Sequence, residues 1–149
     1  MRKALPLLIF ATALLISACS PTRALKENQY MLLRNNVEVK GAPSNDFDDL
    51  KSYCRPIPND RFLSVFLVKP RLYAMGVPVA NKKGVVKDTK FKRWLREKVG
   101  EAPVLLDSVE IDNSLNQLQI VMKQSGYFDA DISYRVKHNK HNPQKVKVN

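Results

Sequence analysis

The sequence predicts an α+β domain with its helices on one face of a small sheet, and three stretches carry that prediction. Ile111, Leu115, Leu118, Met122 and Ser125 recur at spacings of 4, 3, 4 and 3, which puts them along one side of an α-helix. Ala130, Ile132, Tyr134 and Val136 then alternate with Asp131, Ser133 and Arg135, the period of a strand with one buried face. Residues 145–149 alternate again beyond a turn rich in Asn and His, so the two runs form a hairpin.

Taken from the start, the 149-residue chain opens on Arg2 and Lys3, an apolar run over residues 5–16 broken only by Pro6 and Thr12, and the small residues Ser17 and Ala18. That is the pattern of a secretory signal occupying residues 1–18, and it lies outside the fold. The run falls short of the ~20 residues that span a bilayer as a helix. Ile16-Ser17-Ala18-Cys19 resembles the bacterial lipobox. The resemblance implies that the Cys19 sulfur takes a diacylglycerol and that cleavage leaves Cys19 as an acylated N-terminus. Each acyl CH₂ buried in a bilayer contributes about 0.8 kcal/mol, and multiple chains give stable attachment. Losing residues 1–18, Arg2 and Lys3 among them, lowers the net charge from +11 to about +9. An exported chain with that balance meets phospholipid headgroups, lipopolysaccharide, cell wall and unfolded proteins, not nucleic acid. With Cys19 consumed by lipid, Cys54 has no partner for a disulfide and reads as a small buried apolar residue.

Residues 19–29 are polar and read as a lipidated tether. Residues 30–39 follow as a first strand, with Val37 and Val39 alternating against charge before the turn signal Gly41-Ala42-Pro43. Ser44, Asn45 and Asp46 then offer capping side chains to a short helix carrying Phe47, Leu50 and Cys54, which Pro56 and Pro58 end near Arg55. The run Phe62-Leu63-Ser64-Val65-Phe66-Leu67-Val68 is apolar nearly all round, where periodicity does not separate strand from helix; a helix broken by Pro70 and Pro78 is expected. Asn81-Lys82-Lys83-Gly84 reads as an exposed loop. Asp88 or Thr89 can cap a helix that places Phe91, Trp94, Leu95 and Val99 on one face, with Lys90, Lys92, Arg93, Arg96 and Lys98 around the rest and Gly100 past its end. The expectation is a core-facing apolar side and a solvated basic back; the alternative is an anionic surface met by the five cations. The C-terminal helix, of about 12 residues by its signals, has Asp112, Asn113 and Ser114 at its start and Gly126 where a left-handed cap is required.

The order is strand, helix, inserted segment at about 60–107, helix, strand, strand, in one domain over residues 30–149. Ser125-Gly126-Tyr127-Phe128-Asp129-Ala130-Asp131-Ile132, a helix ending in Gly-Tyr-Phe and running straight into an alternating strand, resembles the second-helix to second-strand junction of the polypeptide-transport-associated (POTRA) domain. Two more segments, Tyr53-Cys54-Arg55-Pro56-Ile57-Pro58-Asn59 and Gly100-Glu101-Ala102-Pro103-Val104-Leu105-Leu106-Asp107-Ser108, resemble the lipidated BamA/TamA-family outer-membrane assembly factors of Bacteroidetes-type bacteria. Family members usually carry Gln-Lys-Pro-Asn where this chain has Pro56-Ile57-Pro58-Asn59, a difference in local turn geometry.

That resemblance implies a mixed three-stranded sheet and a client- or partner-binding module of an outer-membrane protein assembly factor. Its partners would be unfolded outer-membrane β-barrel proteins and other envelope assembly components. Family members continue through further POTRA domains into a membrane barrel, so a fragment of a longer protein is expected. The strand Ala130, Asp131, Ile132, Ser133, Tyr134, Arg135 and Val136 is implied to lie at the sheet edge, where its N–H and C=O groups can pair with an extended client. The lack of an acidic cluster after Cys19 points, by resemblance to lipoprotein sorting in such bacteria, to the periplasmic side of the outer membrane.

No enzyme, cofactor or metal is expected. His138 and His141 lie in a loop without a Cys or carboxylate at ligand spacing. Asp46, Asp48 and Asp49 cluster at a helix start, where the dipole favours negative charge. The chain carries no Gly-rich phosphate loop, nucleophile elbow or zinc signature.

Overall fold

A computed structural model describes residues 20–41, 49–62, 66–78 and 86–149. The expected signal sequence, Cys19, the capping residues Ser44, Asn45 and Asp46, Phe47, Asp48 and the loop at residues 81–84 lie outside the described residues. The chain divides into two compact units. Of the described residues, those within 27–58 and 104–149 form a sheet unit; those within 20–26 and 59–103 form a helical unit.

The sheet unit is α+β. Its strands are β1 (Met31–Asn35), β2 (Val136–His138) and β3 (Lys145–Val148), in the order β1-β3-β2. The sheet is mixed: β3 lies at its centre, parallel to β1 and antiparallel to β2. The hairpin turn is fixed by its own side chains, Asn139 Oδ1 accepting from the amides of His141 and Asn142, and Asn142 Oδ1 from Gln144. A register shift between Leu32 and Arg34 marks a bulge in β1. On the far side of β1, Met31 bridges Leu105, the Leu32 amide donates to Val104 O and the Leu106 amide to Tyr30 O. The edge left uncovered is therefore that of β2.

The long helix of this unit, Ser108–Gln124, will be α3 in chain order. It is longer than the sequence suggested because it begins a turn earlier, where Asp107 Oδ1 accepts from the amides of Val109 (2.9 Å) and Glu110 (3.3 Å). Ser114, read as part of the start, is instead a buried interior residue whose hydroxyl accepts from the Arg55 amide at 2.7 Å and donates to Glu110 O. At the other end Gly126 adopts φ +91°, the Tyr127 amide donates to Met122 O and the Gly126 amide to Lys123 O. That is a Schellman cap, completed by Tyr127 packing on the cluster that holds Met122. Helix α3 covers one face of the sheet. Ile111 packs with Leu32, Val146 and Val148, while Leu118 and Met122 pack with Leu50 of a 3₁₀ turn, Leu50–Tyr53.

The opposite face carries Arg34, Lys147 and Lys137, which the two registers place side by side across all three strands. Like charges in directly opposed cross-strand positions repel.

The helical unit holds α1 (Val68–Gly76) and α2 (Lys90–Trp94), the latter continuing as one π-helical turn, Leu95–Val99. The run over residues 62–68 reads as a helix broken by Pro70 and Pro78; residues 63–65 lie outside the described residues, and the described helix starts at Val68 and contains Pro70. Proline is tolerated there because the N–H groups of a first turn have no intrahelical partner. Phe62 and Phe66 instead pair through two backbone hydrogen bonds of 2.8 and 3.0 Å. The polar segment read as a tether is partly folded: Pro21–Ala24 forms a 3₁₀ turn against α1 with Pro21 and Thr22 buried. Where the chain enters and leaves this unit, buried Asn59 donates to Glu101 Oε1 (2.6 Å) and Ala102 O (2.9 Å), holding the two ends together.

Candidate functional site

The alternation read in residues 130–136 is present in part. Ala130 and Ile132 pack on the Leu50, Leu118 and Met122 cluster and Asp131, Ser133 and Arg135 are exposed, but Tyr134, expected on the buried side, is exposed as well. It is not present as a full strand. Ladder pairing is confined to Val136–His138, preceded by one reciprocal pair in which Arg135 and Asn149 exchange hydrogen bonds of 2.8 and 3.0 Å. Among the described residues, no backbone–backbone hydrogen bond joins residues 131–134 to a neighbouring strand. Val136 lies opposite Val148 and Arg135 opposite Asn149.

On the other flank Asn36 still donates to Val148 O, and residues 37–39, read as the end of the first strand, have no ladder pairing among the described residues. The two extended flanks enclose a groove of about 610 Å³ in line with β3. Residues 35–40 line one side, residues 129–135 the other, and Leu50, Leu115, Leu118 and Met122 of the apolar core contribute its floor. Val39 packs on the same cluster as Ile132, so both walls set apolar side chains inward. Gln119 Nε2 donates to Ala130 O at 3.1 Å, fixing the start of one wall to α3. Cys54, half-buried, also lines the groove. Burial pushes its thiol pKa up, against the opposing charges of Arg55 and Lys51. It is therefore a poor nucleophile at neutral pH.

The five cations of the basic helix do not act as one set. Lys90 and Lys98 are exposed and hold no ion pair among the described residues. Arg96 reaches back to Gly76 O (3.1 Å) and to Asp88 Oδ2 (3.3 Å), and Arg93 approaches the same carboxylate at 3.6 Å. The Arg96 hydrogen bond, ahead of the charges of Arg96 and Arg93, holds the Asp88 carboxyl below the usual carboxylate range. Asp88 in turn raises the Arg96 guanidinium. Lys92 is half-buried at the contact with α1.

That contact also corrects the expected apolar face. Of Phe91, Trp94, Leu95 and Val99, only Leu95 is buried; Phe91 is 64 % and Trp94 50 % exposed, their rings stacked with centroids 6.0 Å apart. The close approach of α2 is at Gly76, whose missing Cβ would stand 2.6 Å from Lys92 O and 2.8 Å from the Arg96 amide. Backbone packing at residues 92 and 96 turns the 91/94 side away from the unit's interior. The sequence signal that could have suggested this is Gly76 itself, a glycine ending one helix next to another.

Among the described residues, no three His, Cys, Asp or Glu side chains gather as a metal site, and no helix is long and apolar enough to cross a membrane. His138 is held by Pro143 O at Nδ1 and meets the Tyr30 ring edge-on at 5.2 Å, a turn contact. Comparison with protein-family models, with curated proteins and with solved structures finds no match to this chain.

Proposed function

We propose that the sheet unit is a POTRA-like module of a lipid-anchored outer-membrane protein assembly factor, and that it receives an extended segment of an unfolded β-barrel client or of an assembly partner. The observations that support this reading are the mixed sheet in the order β1-β3-β2, which leaves β2 at its edge, and the Gly126-Tyr127 cap that leads from α3 into residues 130–136, both in agreement with the expected domain. An extended segment laid along that edge gains main-chain hydrogen bonds without demanding a particular sequence.

The test is site-specific photocross-linking in the full-length protein. A photoreactive residue at Asp131, Ser133 or Arg135 captures a denatured outer-membrane β-barrel protein as it is diluted from urea, whereas one at exposed Val109 on α3 does not. Equal capture at Val109, or none at any of the three sites, would refute the reading. The mass of the N-terminal peptide from the membrane-bound protein tests the anchor: acylated Cys19 is expected, and an unmodified Cys19 would remove it.

A further inference from the structure

We infer that the helical unit has a membrane-facing side of its own, formed by Lys90, Phe91, Trp94 and Lys98, which seats in the headgroup layer of an anionic phospholipid bilayer. These four positions fall within one face of α2 and its π-helical extension, at i, i+1, i+4 and i+8. The opposite face is occupied by the approach of residues 92 and 96 to Gly76, and Leu95 is the residue that enters the interior. The helix thus exposes two large aromatic rings, stacked on one another, with a lysine at either end that holds no ion pair among the described residues.

The chemistry of that face fits one surface well. Tryptophan and phenylalanine set an apolar ring body against the upper acyl chains, and the indole N–H stays at headgroup level. Lysine stems extend along apolar surface while the ammonium groups stay with the phosphates. Among the described residues the face presents no free carboxylate beside the rings: Asp88 is held by Arg96 and Arg93, and Glu97 by Arg96. A protein partner would need a complementary apolar pocket flanked by acids; an anionic bilayer offers both layers everywhere. The inference does not rest on the groove of the sheet unit, which lies in a different part of the chain.

Trp94 is the sole tryptophan, so the face carries its own reporter. The experiment places the full-length protein on vesicles of phosphatidylcholine alone or mixed with phosphatidylglycerol, with brominated acyl chains as quenchers, and reads Trp94 emission. Because the N-terminal segment can hold the chain on either vesicle, the readout is the depth of Trp94 and not binding as such. Expected are a blue shift and quenching on the anionic vesicles. Most of both is lost in high salt, in the Lys90→Glu, Lys98→Glu double variant and in Phe91→Ala, each with unchanged far-ultraviolet circular dichroism. Emission unchanged on anionic vesicles overturns the inference, as does equal quenching on neutral ones. A blue shift that grows with protein concentration in the absence of vesicles would also overturn it, assigning the face to a second copy of the chain.

Discussion

Replacing Gly76 by alanine tests the packing that turns Phe91 and Trp94 outward. The added Cβ would stand 2.6 Å from Lys92 O and 2.8 Å from the Arg96 amide, both backbone atoms that no side-chain rotation can move aside. Relief requires the two helices to separate by several tenths of an ångström, which strains the Arg96 bonds to Gly76 O and Asp88. Overpacking of this kind typically costs about 1–3 kcal/mol. Because the two units are compact separately, a global melting temperature is the wrong assay. Peptide-resolved amide exchange is the right one: residues 68–76 and 90–99 exchange about 5- to 150-fold faster, the same energy expressed as an opening equilibrium. Residues 108–124 should be unchanged. Gly126→Ala is the control, since nothing lies within 4 Å of its Cβ and only the φ of +91° opposes it. Its expected cost, about 1 kcal/mol, falls on the last turn of α3 and leaves α1 and α2 untouched. Unchanged exchange in residues 68–76 and 90–99 of Gly76→Ala would refute the close backbone contact, and with it the account of why the aromatic pair is exposed.

Three further outcomes follow from the same geometry. Lys147→Glu places a carboxylate between Arg34 and Lys137, converting two like-charge cross-strand pairs into opposite ones, and should stabilise the sheet by about 0.5–1 kcal/mol in low salt; faster exchange at residues 145–148 would contradict it. Asp107→Ala removes the acceptor for two amides at the start of α3 and should cost about 1 kcal/mol, read as faster exchange confined to the first turn. The Asp88 clamp should be insensitive to pH from neutral down to about pH 4, the ordinary carboxylate range, and be lost only below it. A carboxyl depressed in the folded state contributes its stability above the unfolded value and loses it as pH falls through the folded one. Trp94 emission followed through an acid titration should therefore change late, and Asp88→Asn should show from the outset the emission that the parent protein reaches only in acid.

What was legible in the sequence was local. The cap at Gly126, the apolar stripe Ile111, Leu118 and Met122, the hairpin and the α+β class rest on contacts between residues a few positions apart, and a single chain displays those directly. The start of α3 was misplaced because Asp112, Asn113 and Ser114 offer cap chemistry as good as that of Asp107, and only the pairing of residues 104–106 with β1 decides between them. The basic helix was misread because amphipathicity reports which residues could be buried, whereas the partner's shape decides which are. Gly76 lets backbone approach backbone, and the two aromatic residues lose the competition for the interior. The basic row Arg34, Lys147 and Lys137 was invisible for a related reason: it exists only once the registers, bulge included, are fixed.

Residues 130–136 show the same division within a single segment. Alternation records which side chains face the core, and the structure follows it at Ala130 and Ile132, seated on the cluster of Leu118 and Met122, but not at Tyr134, which is exposed. A ladder records something else, the presence of a neighbouring backbone, and among the described residues that begins only at Arg135, which exchanges two hydrogen bonds with Asn149. Burial of alternate side chains is therefore visible in one strand's own pattern, whereas pairing depends on a second backbone and its register, which that pattern does not contain.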